Sequence, residues 1–585
     1  MTGLAILAAL AAVYARALGG PFVFDDQTAV VSNETLRSLS PLRSVLVQPP
    51  DLTTSGRPVA ALSLALDYAA GGLSPAVFRA TNLALHGLVA LLLFDVVRRT
   101  LRSRRLGAGF AAHANGLAAA SALLFAVHPL ASEVACYVSA RTESLVALCY
   151  LAALDCAICA RGSARPWAWL AAALAVCALG MASKEVMVSA PLVIALHGAV
   201  FDGFDEGRWR LHMGTFYALA PSWLLLGWLL AASPRAGSAG FDHWVTPAVY
   251  LANQCRLLPR YLALVVWPHP LRIDYGTPEP LAFGDVWAGA LFTAALLAGS
   301  LWALWRRPAA GFVGVACFAV LATSSSLFPI ASEVGAERRM YLPLAALVPL
   351  AVSCVWLALG RLRAERLAPP LVCASALALA AVSFARAGDY ETEVGLWRHD
   401  VAAAPENRRA HYNLATALEG EGRSEEARAE MAQAVRAEID FYERVLPRQP
   451  DPVTSRVDLG ALHELAGEPE RARELYDEAL LRAPEDGYAL RRMALLLVRN
   501  PALGVPGDPR AREFAERAVG ATSRRDAAAL EALAQVELAS GNAEAALALL
   551  REALATDPAR QSARVLDRIR REAEGLASGG ESPSP

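Results

Sequence analysis

Up to about residue 386 the chain alternates long apolar runs with short polar breaks, and beyond that point the alternation stops. The hydrocarbon core of a bilayer takes about 20 apolar residues of helix. Runs at 3–19, 77–97, 108–127, 134–160, 166–182, 186–201, 213–232, 286–305, 310–328, 341–360 and 369–386 reach or approach that length, which predicts about eleven spans. The stretch 245–267 is also apolar, but Asn253, Arg256 and Arg260 interrupt it, so an interfacial or re-entrant helix is expected there. In "SGRPVAALSLALDYAAGGLSP" (55–75), Val59, Leu62, Leu66 and Ala69 recur at roughly helical spacing. That pattern predicts an amphipathic helix lying on the membrane; the alternative is a plain connecting loop.

From Gly388 the chain becomes charged and alanine-rich, with self-similarity at 34 residues, the tetratricopeptide period. Residues 453–486 fit with Leu459–Gly460, Ala472, Tyr476, Ala479 and Pro484, and 527–560 with Leu533, Ala546, Leu550, Ala553 and Pro558. Residues 408–441 match at Leu414, Ala427 and Ala434, while a degenerate unit at 487–520 carries "NPALGVPGDP" as a loop insertion. Such helix pairs bury their apolar faces only by stacking. The expected fold is therefore all-α, with a polytopic membrane domain over 1–387, a tetratricopeptide-repeat α-solenoid over 388–571 and a disordered tail over 572–585.

Composition agrees with that division. Hydrophobic residues make up 55% of 585 positions and charged residues 19%, too apolar for a soluble chain of this length. A net charge of −2 gives no reason to expect nucleic acid as a partner. Of 54 basic residues all but Lys184 are arginine, a bias that points to a GC-rich genome. Arginine-rich short loops stay cytoplasmic. "RRTLRSRR" (98–105), Arg161 and Arg165, Arg208 and Arg210, "RR" (306–307) and "RLRAER" (361–366) all share one side if eleven spans start from a cytoplasmic N-terminus. The loops bearing Asp25, His128, Lys184, Arg235 and Arg338, and the whole repeat domain, then lie outside the cytoplasm. A cleaved signal peptide is the alternative for 3–19, but that run has no basic start. The nine cysteines fall before residue 388, and Cys156–Cys159 form a CxxC spacing with no second pair nearby. They read as small core residues, without a disulfide framework or zinc site.

Ionisable residues at a membrane are costly and therefore informative. "FVFDDQ" (Asp25, Asp26), "HPLASEVACYVSARTES" (His128, Glu133, Arg141, Glu143), "ASKEV" (Lys184, Glu185), "LRIDYG" (Arg272, Asp274) and "SEVGAERRMYLP" (Glu337, Arg338, Arg339, Tyr341) all fall on the expected outer side. "RATNLALHG" adds Arg79, Asn82 and His86 on one helical face. Each cluster alone reads as a solvated loop. Together, one acidic pair facing scattered cations suits chemistry on an anionic lipid head group. Arginine and lysine would hold the phosphate, and a carboxylate would accept a proton from an attacking hydroxyl.

The order of these motifs, followed by the repeats, resembles the transmembrane and tetratricopeptide repeat-containing proteins and, more widely, the integral-membrane GT-C glycosyltransferases. That resemblance implies inverting transfer of a mannose-like sugar from a polyprenyl-phosphate donor to protein Ser/Thr hydroxyls outside the cytoplasm. It implies Asp25 and Asp26 as the catalytic pair. His86, His128, Glu133, Arg141, Glu143, Lys184, Glu185, Glu337, Arg338, Arg339 and Tyr341 would bind the donor's phosphate and sugar. Which aspartate is the base stays open. No cofactor or metal is expected, although the acidic pair could instead hold a divalent cation. The implied partners are the lipid bilayer, the lipid-linked sugar and an exported or membrane acceptor protein bound through the repeats. The implied location is the inner (cytoplasmic) membrane. Arg79 stands where a histidine is common, and the few repeats and the composition point to a bacterial member. A lipid-linked-sugar transporter or a membrane-anchored repeat scaffold are the competing readings.

Overall fold

The structure, a computed structural model, describes residues 2–50, 52–203, 206–232, 245–325, 329–448, 453–505 and 507–556. It is helical, with no extended strand among the described residues, as the pattern predicts. Two compact units divide it, Met1–Glu421 and Gly422–Pro585.

In the first unit nine helices among the described residues are long and apolar enough to cross a membrane, and the chain is a multi-pass membrane protein. They include Pro75–Leu101, Gly107–Ala126, Val138–Gly162, Glu185–Asp202 and Glu337–Arg361. The two remaining expected spans are the shorter apolar helices Gly3–Gly19 and Pro166–Met181. Sixteen residues at about 1.5 Å each reach only about 24 Å, short of the full hydrocarbon core. The stretch expected to be an interfacial or re-entrant helix is one continuous helix, Pro247–Val266, which buries Tyr250, Asn253, Gln254, Leu258, Tyr261 and Leu264. The 55–75 segment forms the helix Pro58–Gly71. Its inward face is Ala60, Ala61, Leu64 and Ala65, whereas Leu66 of the expected apolar stripe is 53% exposed. All nine cysteines are free thiols.

The first unit runs past residue 387 because the helices Glu393–Ala403 and Arg408–Gly420 are tied to the segment 271–277. Arg272 donates to the Ala403 carbonyl at 2.5 Å, His399 bonds the Leu271 carbonyl at 3.1 Å, and Asn407 donates to the Asp274 carbonyl at 3.1 Å.

The second unit stacks antiparallel helix pairs, Val453–Leu465 with Pro469–Arg482, Gly487–Arg499 with Pro509–Ala521, and Ala527–Ala539 with Ala543–Thr556. Its core carries Val457, Ala472, Tyr476, Ala479, Leu490 and Leu530. A Cβ at Gly460 would lie 2.4 Å from the Tyr476 ring, so the Leu-Gly position admits the tyrosine of the partner helix. Arg235, the tail 572–585 and the last residues of the 527–560 repeat lie outside the described residues.

Candidate active site

The loop carrying the two aspartates is fixed from both sides. Before it, a Cβ at Gly20 would sit 1.9 Å from the Tyr390 carbonyl oxygen, a close approach that requires glycine. Buried Arg79 donates to the carbonyls of Gly20 and Pro21, and to that of Cys136 at 2.8 Å. Within it, Phe24 has φ +53°, a left-handed conformation costing a side-chain-bearing residue about 1–2 kcal/mol. Its ring is held edge-on by Trp397 at 5.5 Å, lies 6.3 Å from Tyr137, and has the Arg409 guanidinium 5.3 Å from its centre. A strained residue held by its surroundings is a common feature of functional loops.

The turn at Phe24 gives the adjacent carboxylates different environments. Asp26 is fully buried. One carboxylate oxygen accepts from the Ser139 N–H at 2.8 Å and the Ser139 hydroxyl at 2.6 Å, and the other accepts from the Val23 N–H at 3.3 Å. Burial pushes Asp26 up to about 6, against the pull of those hydrogen bonds. Asp25 is half-buried, and its backbone N–H donates to the Tyr137 hydroxyl at 3.2 Å. Burial raises its pKa and Glu333 adds to that, while Arg338, the Tyr137 hydroxyl and Arg409 pull the other way.

Arg338 is the cation whose charge acts most on Asp25. Its N–H and Nη1 donate to Glu133 at 2.8 and 2.6 Å, and its Nη2 donates to Glu333 at 2.7 and 2.8 Å. The guanidinium also lies 5.8 Å over the Tyr137 ring. Arg339 is more deeply set, donating to Glu333 at 3.1 Å and to the Tyr250 hydroxyl at 2.9 Å. Burial raises the Glu133 pKa against Arg338. Burial also opposes ionisation of Glu333, but Arg338, Arg339 and Arg409 outweigh it and hold that carboxyl below its usual range. Lys184 is paired with Glu143, and Arg57 meets Glu185 at 3.2 Å. Burial lowers the Lys184 pKa, with Glu143 pulling it back.

Other expected donor-binding residues have their polar atoms engaged within the protein. Arg141 donates to Asn82 at 2.7 Å and the Phe78 carbonyl at 2.7 Å, and pairs with Asp67 at 2.5 Å. The ring nitrogens of His86 meet the Tyr341 hydroxyl at 2.6 Å and the Ala126 carbonyl at 3.0 Å. His128 accepts from the Leu130 N–H at 3.2 Å and reaches the Val265 carbonyl at 3.0 Å; burial pushes it down to about 4. Glu337 accepts from the Arg272 N–H at 2.6 Å and the Tyr275 hydroxyl at 2.9 Å. These contacts satisfy polar groups that are buried in the fold.

Sequence reasoning did not single out Tyr137, Ser139, Glu333, Trp397 or Arg409. Tyr137 and Glu333 lie inside stretches already marked by their neighbours, and a phenol or a carboxylate there was a signal. Trp397 and Arg409 come from beyond the expected membrane domain. Arg409 grips Asp274 with two guanidinium nitrogens, one at 2.8 Å, and Asn407 donates to the same carboxylate at 3.2 Å. Burial opposes ionisation of Asp274, but Arg409 outweighs it and keeps the carboxyl below its usual range. Among the described residues no group of three or more His, Cys, Asp or Glu is gathered as a metal set.

The chain is homologous to animal proteins named protein O-mannosyl-transferases. It is 28% identical to Tmtc1 of Drosophila melanogaster over 338 residues, covering 52% of this chain and 38% of the relative. It is 26% identical to TMTC4 of Mus musculus over 479 residues, covering 70% and 63%. With TMTC1 of Mus musculus it shares 36% identity over 149 residues, 24% of this chain and 15% of the relative. The chain thus spans less than two thirds of the length of these relatives, and the expectation of a bacterial member finds no support among them. No protein-family model matches the chain. Among solved structures, the crystal structure of the APC/C hetero-tetramer Cut9-Hcn1 aligns over 89% of this chain and 91% of its own at 13% identity. Its TM-score of 0.20 carries no argument about the fold.

Proposed function

We propose that the chain is a membrane glycosyltransferase that moves a mannose-like sugar from a polyprenyl-phosphate donor to Ser/Thr hydroxyls of proteins on the non-cytoplasmic side, with Asp25 as general base. The observation that carries the assignment is the contrast within the pair. Asp25 is half-exposed beside Arg338, while the oxygens of Asp26 are engaged by Ser139 and Val23. The names of the relatives support the reaction class.

In the proposed step the acceptor hydroxyl gives its proton to Asp25, and its oxygen bonds to the anomeric carbon as the carbon–phosphate oxygen bond breaks. The sugar inverts, and the lipid phosphate leaves as an anion that needs no acid. Arg338, poised between Glu133 and Glu333, and Lys184, paired with Glu143, would stabilise that charge as it develops. Asp26 is a positioning residue that joins the loop to Ser139. Metal is not required, since each step has a protein group or the phosphate itself to carry it. The repeats would bind the acceptor protein.

The test is reconstitution. The full chain in lipid nanodiscs, given polyprenyl-phosphate-linked radiolabelled mannose and a Ser/Thr peptide, is expected to label the peptide with or without a chelator. Movement of the lipid-linked sugar across vesicles with no labelled peptide would assign a transporter instead. A protease-sensitive reporter after Pro585 tests sidedness, with protection in the cytoplasm contradicting it.

A further inference from the structure

A second feature of the membrane unit is a cleft whose basic mouth lies at the end of the bundle remote from Asp25. The helix Pro75–Leu101 carries Arg79 and Asn82 beside the aspartate loop, and Thr100 and Leu101 at its other end, roughly 27 Å away at 1.5 Å per residue. The cleft, of about 540 Å³, lies between this helix and the helices at 141–162, 190–202, 308–325 and 341–361. That volume lies within the range of about 300–1,000 Å³ typical of ligand sites. The cleft is long, since both Leu342 and Leu357 line it and are roughly 22 Å apart along one helix.

Its walls are almost wholly apolar, and the few polar groups inside are satisfied. The Thr100 hydroxyl and His197 Nε2 are 3.0 Å apart, and His197 Nδ1 faces Arg161 at 3.3 Å. Charge enters the lining as Arg105, Arg306 and Arg307, all exposed, and none of its described lining residues is acidic. Among the described residues none of these three guanidinium groups is held in a salt bridge, and Arg306 rests over the Trp305 ring at 4.8 Å. An apolar slot with three arginines and no carboxylate complements one kind of molecule.

We propose that this cleft binds an anionic phospholipid, its phosphate on Arg105, Arg306 and Arg307 and one acyl chain along the slot. Basic side chains at a membrane surface attract anionic head groups, and guanidinium suits phosphate geometry. The polyprenyl donor is a poor match at this end, because its phosphate belongs beside Asp25 at the opposite end of the bundle. The choice of a phospholipid over the polyprenyl donor rests on the placement of the donor phosphate beside Asp25 proposed above; the basic, apolar character of the cleft does not.

Native mass spectrometry of the delipidated full chain tests it, with phosphatidylglycerol and phosphatidylcholine of identical acyl chains as probes. Phosphatidylglycerol is expected to bind at least about tenfold tighter. That preference should vanish in the Arg105→Ala, Arg306→Ala, Arg307→Ala triple variant and persist in the corresponding triple lysine variant. Val313→Trp, which fills the slot, should weaken both lipids. Equal binding of the two lipids to the unaltered protein would overturn the proposal. So would a preference that survives the alanine variant, or stoichiometric displacement of phosphatidylglycerol by a polyprenyl phosphate.

Discussion

In the repeat unit, side chains meet within about one 34-residue period; in the polar layer of the membrane unit, they meet across more than a hundred positions. Tyr476 packs on Gly460 of the preceding helix and bonds Glu464, twelve positions away. Asp26 meets Ser139 across 113 positions, Asp274 meets Arg409 across 135, and Glu133 meets Arg338 across 205. The repeat unit therefore depends on volume at a few small and large positions, whereas the site layer depends on long-range closure. A lost partner there leaves a buried charge rather than a cavity.

The largest effect should come from breaking that closure. Arg338→Ala strands Glu133 and Glu333, and removing one partner of a buried ion pair costs about 3–5 kcal/mol. Thermal unfolding in detergent should show the transition of the membrane unit strongly lowered. The double variant Glu133→Gln, Arg338→Gln should recover much of the loss; equal damage in both would mean that charge is not the cause. In the repeat unit, Tyr476→Ala should cost about 3–5 kcal/mol through a cavity over Gly460. Its unfolding transition should shift while that of the membrane unit stays in place.

A smaller, functional effect separates the two kinds of region further. In the proposed step Asp25 must be ionised to accept a proton, so activity should rise with pH through its pKa. Arg409 holds that pKa down and Glu333 holds it up. Arg409→Gln should thus move the acid limb of the pH–rate profile to higher pH, with Arg409→Lys restoring most of it. Glu333→Gln should move the limb the other way. Shifts in the same direction would remove Asp25 from the assignment. Smallest of all, Arg471→Ala in the exposed pair with Glu474 (47% and 59% exposed) should change stability by less than about 0.5 kcal/mol.

Helical periodicity and apolar length made the elements legible, including the repeat helices and the break in them at 500–505, because those signals are local. The 245–267 helix was harder. Its polar residues suggested a break, yet Asn253 is satisfied by the Val249 and Glu279 carbonyls at 2.8 and 2.7 Å. Asp25 and Asp26 stood out as charges next to a span, but the division of labour proposed for them did not. It rests on the φ of Phe24 and on Ser139, neither of which adjacency reveals. Arg409 was invisible for the same reason, since nothing local ties "NRRAH" to "IDYG". Charge clusters marked the layer; tertiary pairing decided which members face the loop and which brace it.

The central claim is that Asp25 takes the proton and Asp26 only positions it. Asp25→Asn and Asp26→Asn proteins of matched fold, in nanodiscs with the labelled donor and peptide, test this by turnover at saturating substrate. General-base catalysis contributes about 10²–10⁴-fold, so Asp25→Asn should lose at least about a hundredfold in kcat, and Asp26→Asn distinctly less. Near-normal turnover by Asp25→Asn, or a far greater loss in Asp26→Asn, would contradict the account.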